Sequence, residues 1–562
     1  MTGSVGSRAR SSSYEKGGGD ARHRLAEAAE AGGARRALSC GALARVAAAA
    51  LVAASALIAG CGSLPANVGK TDSLALPPNP DSPLVKIAAV SSPSPEQTGV
   101  RLLPLGAYSL DTRLQLAQRA STSLDVQYYQ FENDSTGLLL FHALRDASER
   151  GVRVRLLVDD LYTSHSDPTL RGLASFPNVE VRLFNPFCCN RGAGPGGRYT
   201  ASIFDFGRLN HRMHNKLFIA DGVMAVAGGR NIADEYFLRA HDANFVDMDA
   251  FVMGAVVRSM AAIFDRYWNS EVVYPIEAVG EPLGDKAARR QAFDAAIATM
   301  TPPPVETPST DLLGYGPLAE EFDAGQLGLE WGTARAFADP PEKLLAMTPK
   351  VAFEMSVTND VMMQVWQAQS DLVLTSPYMI PGEPGMKSFD TLHQHKVKVT
   401  VITNSLAATD EPLVHNGYAH YRERMLRAGV DLYELSPTRT QQTKRLGMFG
   451  TSLGRLHAKT AVIDKKIIFI GSMNLDPRSA STNTEFGMFI ESPALAKELL
   501  RVINISKLEG AYRLQIDPKT SKLEWLTIED DKETVLQAEP ESTFWLRVHN
   551  MLLGWFVPEQ LL

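Results

Sequence analysis

A chain of 562 residues is long enough for two or three domains and a large buried core. With 45% hydrophobic and 21% charged residues, its composition is that of an ordinary globular protein. The formal net charge of −7 counts against a polyanionic partner such as nucleic acid, although it says little about one small phosphate site.

The first sixty residues read as an export signal. Residues 1–34 are rich in Gly, Ser, Ala and Arg and show no apolar periodicity. Arg35, Arg36 and Arg45 then precede the apolar run VAAAALVAASALIAG, from Val46 to Gly60. A basic region followed by such a run is the pattern of a signal peptide, and it is short for a membrane span of ~20 residues. The alternative is an uncleaved N-terminal anchor. The run ends in LIAGC, and the small-residue pair before Cys61 resembles the lipobox of bacterial lipoproteins, which implies a lipidated Cys61 as the mature N-terminus. By the usual sorting pattern, Gly62 rather than Asp favours an outer membrane where the cell has two. Of the four cysteines, Cys40 leaves with the signal and Cys61 carries lipid. Cys188 and Cys189 are adjacent, which strains a disulfide between them, so two thiols and no zinc site are expected.

Residues 61–100 are Pro-, Ser- and Asn-rich and read as a flexible tether spanning on the order of 35 Å. An internal repeat follows. SLDVQYYQF at Ser123 has a counterpart in SDLVLTSPYMIP at Ser370. LLLFHALRDASERG is apolar at helical spacing and stops at Gly151. VRVRLLVDD at Val152 matches VKVTVITNS at Val397, and VEVRLFNP matches VDLYELSP. Strands alternating with helices give an α/β fold class. The expected organisation is a first domain over 101–270, an irregular Pro-rich insertion over 271–350 and a second domain over 351–562. The apolar tail WLRVHNMLLGWFVPEQLL is expected as a docked helix, with a lipid-facing surface as the alternative.

Each half then carries the same constellation. HNKLFIADG begins at His214 and HAKTAVIDK at His457. In both, Lys (Lys216, Lys459) follows His by two residues, Asp (Asp221, Asp464) by seven, Gly by fourteen and Asn (Asn231, Asn474) by seventeen. One such match has odds on the order of one in a hundred thousand per histidine, so two are not chance. If the motif starts a strand, His and Lys share a face, and a hairpin at the Asp brings the Asn back to the start. Two lysines and two asparagines make a phosphate cradle without metal or cofactor. Neutral imidazole attacks phosphorus and protonated imidazole acts as the acid for a leaving alkoxide, so two histidines on opposite sides of one phosphorus explain the duplication. Each His also needs an orienting carboxylate. Glu485 in NTEFGMF is the candidate in the second half, and Asp249 in VDMDAFV in the first, with Asp247 the second choice. Asp221 and Asp464 lie at the far turn, where a structural salt link suits them better than substrate contact. His211, His393 and His395 read as loop or solvated histidines, while Tyr128, Tyr129 and Tyr378 suit either a pocket mouth or core packing.

The two motifs, each followed by a G-G/S-x-N segment (HNKLFIADGVMAVAGGRN and HAKTAVIDKKIIFIGSMN), resemble the phospholipase D superfamily. FDRYWNS, SPYMIPG and NLDPRSASTNTEFG are similar to its bacterial cardiolipin synthases of the C type. The resemblance covers roughly residues 100–560. It implies duplicated domains, each a mixed sheet flanked by helices, packed with pseudo-two-fold symmetry around one shared site. It counts His214, Lys216, Asp221, His457, Lys459 and Asp464 as catalytic. It also implies a phosphatidyltransferase that makes cardiolipin through a phosphohistidine on His214, with His457 as acid and base. Its substrates would be phosphatidylglycerol and phosphatidylethanolamine, met at a membrane surface on the periplasmic or exterior side. A phospholipase D-type hydrolase, or a nuclease of the same superfamily, remains the alternative. Asp249 stands where Glu is commoner.

Overall fold

The repeat becomes visible in its local signals. Helix Ser135–Glu149 begins on Asp134, whose carboxylate accepts from the Gly137 amide. It ends where Gly151 turns to φ +92°, a conformation open to Gly without penalty. Strands Ser123–Tyr128, Arg153–Asp159 and Val179–Phe184 are parallel and almost wholly buried, as unbroken apolar runs between helical layers should be. In the second half Asp371–Thr375, Lys398–Asn404 and Asp431–Leu435 repeat them. The computed structural model describes Leu64 and residues 69–188, 190–279, 284–299, 304–345, 348–443, 451–529 and 532–554. The residues expected as a signal peptide, with Cys61 and Cys189, lie outside them.

Each half is a mixed sheet. From the middle of the molecule outward, the first reads 98–103, 249–254, 224–228, 217–220, 123–128, 153–159, 179–184, 273–275. The second reads 486–491, 467–471, 460–463, 371–375, 398–404, 431–435, 511–516, with two further strands to 536. Strand Glu330–Ala338 joins them. Its first three residues pair with Thr98–Val100 and the rest with Phe486–Glu491. The stretch expected as an irregular insertion therefore holds the strand that fuses the two sheets. It also contains helices Lys286–Thr299 and Leu318–Ala324. The Pro-rich reading missed this strand because its residues are mostly half-buried.

Three main cores follow the symmetry. The outer two belong to one half each, and the middle one draws Val252, Met260 and Phe264 from the first half and Ile468, Met488 and Leu499 from the second. Each such side chain contributes about 1.5–3 kcal/mol on burial, so the halves are held as firmly as a domain interior.

The expected free tether is corrected in its second part. Ala75 donates its amide to Asp265 at 2.8 Å, Trp268 donates to the Ser73 hydroxyl at 2.9 Å, and Arg182 donates to the Thr71 carbonyl at 2.7 Å. Helix Pro83–Ser91 follows, with Leu84 fully buried. Backbone amides and carbonyls paired to the body hold this stretch in place, whatever its Pro and Ser content suggests. At the other end, helix Phe544–Gly554 lies against helix Pro412–Arg427. Among the described residues, no helix is long and apolar enough to cross a membrane.

Candidate active site

Both motifs lie where the halves meet. The ladders begin one residue after each lysine, at Leu217 and Thr460, so each His and Lys sits on the chain entering a strand instead of within it. That entry is pinned by the opposite half. The His214 amide donates to the Thr484 carbonyl at 2.8 Å, and the Thr484 amide donates back to Arg212 at 2.9 Å. The His457 amide donates to Val246 at 2.8 Å, and strands Ala243–Val246 and Leu453–Leu456 run parallel across the seam.

The next residue on each crossing strand is a carboxylate. Glu485 Oε2 lies 2.9 Å from His214 Nδ1, and Asp247 Oδ2 lies 2.6 Å from His457 Nδ1. Each histidine thus takes its carboxylate from the other half. A carboxylate accepts, so Nδ1 carries a proton on each ring, and Nε2 is the atom left to attack when a ring is neutral or to give a proton when it is protonated. Tyr129 packs edge-on against the His214 ring at 5.0 Å, and Tyr236 against His457 at 5.1 Å.

The orienting role of Asp249 is corrected here, and so are the salt links expected of Asp221 and Asp464, whose partners are backbone amides. Asp249 is beside neither histidine. It is buried on Arg113 at 3.0 Å and accepts from the Ser109 hydroxyl at 2.6 Å. Register gives the reason: Gly228 pairs with Asp249 while Gly471 pairs with Gly487, so Asp249 matches Gly487, and two residues back Asp247 matches Glu485. Asp221 and Asp464 are away from the histidines. Asp221 accepts from the amides of Ser121, Thr122 and Ser123, and Asp464 from Gln369, Ser370 and Asp371. Both sit at positive φ on a hairpin turn and tie it to the start of the antiparallel neighbour, at Ser123 and Asp371.

The lysines are buried, Lys216 fully and Lys459 at 2% exposure. Each Nζ donates to the carbonyl of its own histidine. Burial pushes Lys216 well below the usual ammonium range, against the pull of Glu485 and with the push of Lys459. Burial likewise brings Lys459 down to about 8. Burial takes His214 to about 4 despite Glu485, and both lysines act in the same direction. Burial and Lys459 also lower His457. Burial alone would raise Asp247, yet the charge and hydrogen bond of His457 and the Lys459 ammonium carry it down to about 2. The same balance, struck by His214 and Lys216, lowers Glu485. These mutual influences mean that the four motif groups share one buried spot, a place suited to an anion.

The asparagines differ. Asn231 Nδ2 donates to the Tyr236 hydroxyl at 2.9 Å. The buried Oδ1 of Asn474 has no hydrogen-bond partner, which leaves it for a donor on a ligand. His211 accepts no place in the site; its Nδ1 meets the Thr482 carbonyl at 2.7 Å. Tyr128 is core, bonded to Arg113. His393 and His395 are exposed.

Several supporting residues were not anticipated. The Ser472 and Ser479 hydroxyls donate to Glu485. Asp339 accepts the Glu485 amide at 2.8 Å, and the buried Lys343 ammonium ties Asp339 to the carbonyls of Ser479 and Asn483. In the first half Arg230 donates to the carbonyls of Asp247, Leu103, Pro104 and Tyr236. Ser472 could have been found by its place in GSMN. Asp339 and Lys343 carry no local signal, since they act across more than a hundred residues.

Comparison with known proteins follows this geometry. The family model for cardiolipin synthase with a PLD-like domain matches residues 114–268 and 362–505. Cardiolipin synthase C of Escherichia coli (strain K12) is 38% identical over 490 residues, 85% of this chain and 98% of that protein. A cardiolipin synthase of Geobacillus sp. (strain WCH70) is 24% identical over 427 residues, 74% of this chain and 68% of that protein. Among solved structures, phosphatidylserine synthase of Haemophilus influenzae Rd KW20 superposes with a TM-score of 0.52 at 15% identity, covering 82% of this chain and 92% of that one. At that identity the likeness speaks for the fold alone.

Proposed function

The chain belongs to the cardiolipin synthase family with PLD-like domains, and from that premise we propose that it is a phosphatidyltransferase making cardiolipin from two phospholipids. The observation that carries the reading is the pair of histidines, each fixed at Nδ1 by the other half's carboxylate, around two buried lysines. Lys216 and Lys459 neutralise the phosphodiester. Nε2 of His214 attacks phosphorus, the bond to the departing alcohol breaks, and His457, which enters this step as an imidazolium with its second proton on Nε2, gives that alkoxide the proton. Glu485 balances the positive charge that forms on the phosphorylated ring. His457 Nε2 then removes a proton from the hydroxyl of a second phospholipid. Its oxygen attacks phosphorus and the P–N bond breaks, returning both histidines to their starting state. Phosphatidylglycerol used twice yields cardiolipin and glycerol; with phosphatidylethanolamine as donor, ethanolamine leaves instead.

Transfer and hydrolysis share the phosphohistidine and differ in what resolves it. Water at ~55 M competes with any alcohol, while a bound acceptor reaches effective concentrations of ~10⁵ M or more. Purified enzyme with mixed phosphatidylglycerol and phosphatidylethanolamine vesicles should yield chiefly cardiolipin by mass spectrometry. Dominant phosphatidic acid would make it a hydrolase, and cleavage of oligonucleotides in place of lipid would make it a nuclease. A quenched reaction with labelled phospholipid should place acid-labile label on His214; label on His457 alone reverses the two roles.

The N-terminal sequence supports attachment to a bacterial membrane through lipid on Cys61, with the body on the periplasmic or exterior side. Labelled fatty acid should enter the wild type and not Cys61→Ser, and that variant should leave the membrane fraction.

A further inference from the structure

Two short helices in the second half carry apolar side chains on their solvent side. On Pro349–Glu354 and just beyond it, Val351, Phe353 and Met355 are 39%, 38% and 43% exposed, and on Val357–Val365 Met363 is 60% exposed. A cluster of exposed apolar residues of this kind is unusual on a water-facing surface. Of these, Phe353 and Met363 line a cavity of about 370 Å³ together with Met362, Trp366, Met379 and Leu475, and Val351 and Met355 flank Phe353 along the chain. Only one lining side chain is charged, Asp476, and its carboxylate already accepts the Ser479 amide at 2.7 Å.

The cavity shares a wall with the candidate active site. Helix Pro477–Ser481 turns Pro477 and Ala480 into the groove, while Ser479 donates to Glu485 at 3.0 Å. Leu475 lines the groove and directly follows Asn474, whose Oδ1 has no partner. The Ile380 amide bonds the Leu475 carbonyl at 2.6 Å, so the groove floor and the Asn474 loop are one piece.

We propose that this groove holds one acyl chain of the phospholipid whose phosphate lies between Lys216 and Lys459, and that the rim of Val351, Phe353, Met355 and Met363 meets the lipid surface from which it is drawn. The proposal deepens the phosphatidyltransferase reading and rests on it for the identity of the ligand. A floor of methionines suits a flexible, unbranched chain, because thioether side chains repack around it. A peptide in the same place would leave its backbone amides facing apolar side chains.

Two measurements test it on the full chain. Phosphatidylglycerol carrying a diazirine in one acyl chain, presented in vesicles and photolysed, should label peptides from 351–389 and 474–480, with competition by unlabelled lipid. Label confined to other segments overturns the groove. Met362→Trp narrows the channel and Met363→Glu charges its exposed rim. Each should lower the ratio of dioleoyl to dihexanoyl phosphatidylglycerol turnover by about tenfold, the scale on which a pocket discriminates apolar length. An unchanged ratio in variants that melt like the wild type also overturns it. Groove labelling without cardiolipin formation would leave the acyl site standing and remove the transferase reading. Cardiolipin formation with label elsewhere would do the reverse.

Discussion

The two halves hold their orienting carboxylates by different means on one backbone frame. Glu485 is long, and hydroxyls of Ser472 and Ser479 fix it from both sides while Asp339 holds its amide. Asp247 is one methylene shorter. At the position matching Ser472 the first half has Gly229, and a Cβ there would meet Asp247 Oδ1 at 2.1 Å. At the position matching Met473 it has Arg230, which clamps the Asp247 carbonyl. One carboxylate is caught by side-chain donors, and the other sits in the space a side chain has vacated. The pair teaches that Glu with Ser and Asp with Gly are coupled choices, so neither residue can be exchanged alone.

The largest expected effect separates Asp247 from Asp249. Asp247→Asn should cost about 10³–10⁴-fold in kcat, as loss of a His-orienting carboxylate does elsewhere, with little change in melting. Asp249→Asn should instead destabilise by about 3–5 kcal/mol by stranding the buried Arg113. Thermal melting beside initial rates would reverse the assignment if the two phenotypes were swapped. Next comes the Gly/Ser contrast. Gly229→Ala should lower kcat about 10²-fold by displacing Asp247, and Ser472→Ala only about tenfold by loosening Glu485. Equal losses would mean that the halves hold their carboxylates alike.

The pH profile of kcat/KM should also divide between the halves. His214, near 4, loses its lone pair as pH falls through that value, which sets the acid limb. His457, held below its usual range by burial and Lys459, loses as pH rises the proton it must give, which opens the alkaline limb, and Lys459, near 8, steepens it as its charge is lost. Each limb should fall about tenfold per pH unit. A rate that holds level from pH 7 to 10 would contradict the burial of Lys459. The smallest effect concerns the turn aspartates. Asp221→Ala removes an acceptor from a buried turn and should cost about 1–3 kcal/mol; Asp464→Ala, at a more exposed turn, should cost about 1 kcal/mol or less. Turnover per folded molecule should hold in both, and its loss would return them to the catalytic set.

What the sequence made legible was whatever repeats locally. His214 and His457 with their lysines, the parallel strands and the helix stop at Gly151 all rest on short-range spacing, and all were readable. What escaped lies in pairing between distant strands. Asp249 was preferred to Asp247 because both stand in the same strand face pattern, and only the pairing of Gly228 with Asp249 against Gly471 with Gly487 tells them apart. The exchange of carboxylates was hidden for the same reason: Glu485 is close to His457 in sequence and bonds His214, 271 residues away. The joining strand Glu330–Ala338 escaped because each of its ends pairs with a different half.

That exchange also sets a clock on the molecule. His214 leaves the ribosome 271 residues ahead of Glu485, and His457 leaves 210 residues after Asp247. At ~5–20 residues per second, the first histidine waits tens of seconds for its carboxylate. A nascent chain therefore carries an imidazole with no fixed tautomer and lysines with no partner across the seam. Chemistry on phospholipid is withheld until the second half has closed over the first, so a truncated chain is born harmless to phospholipid.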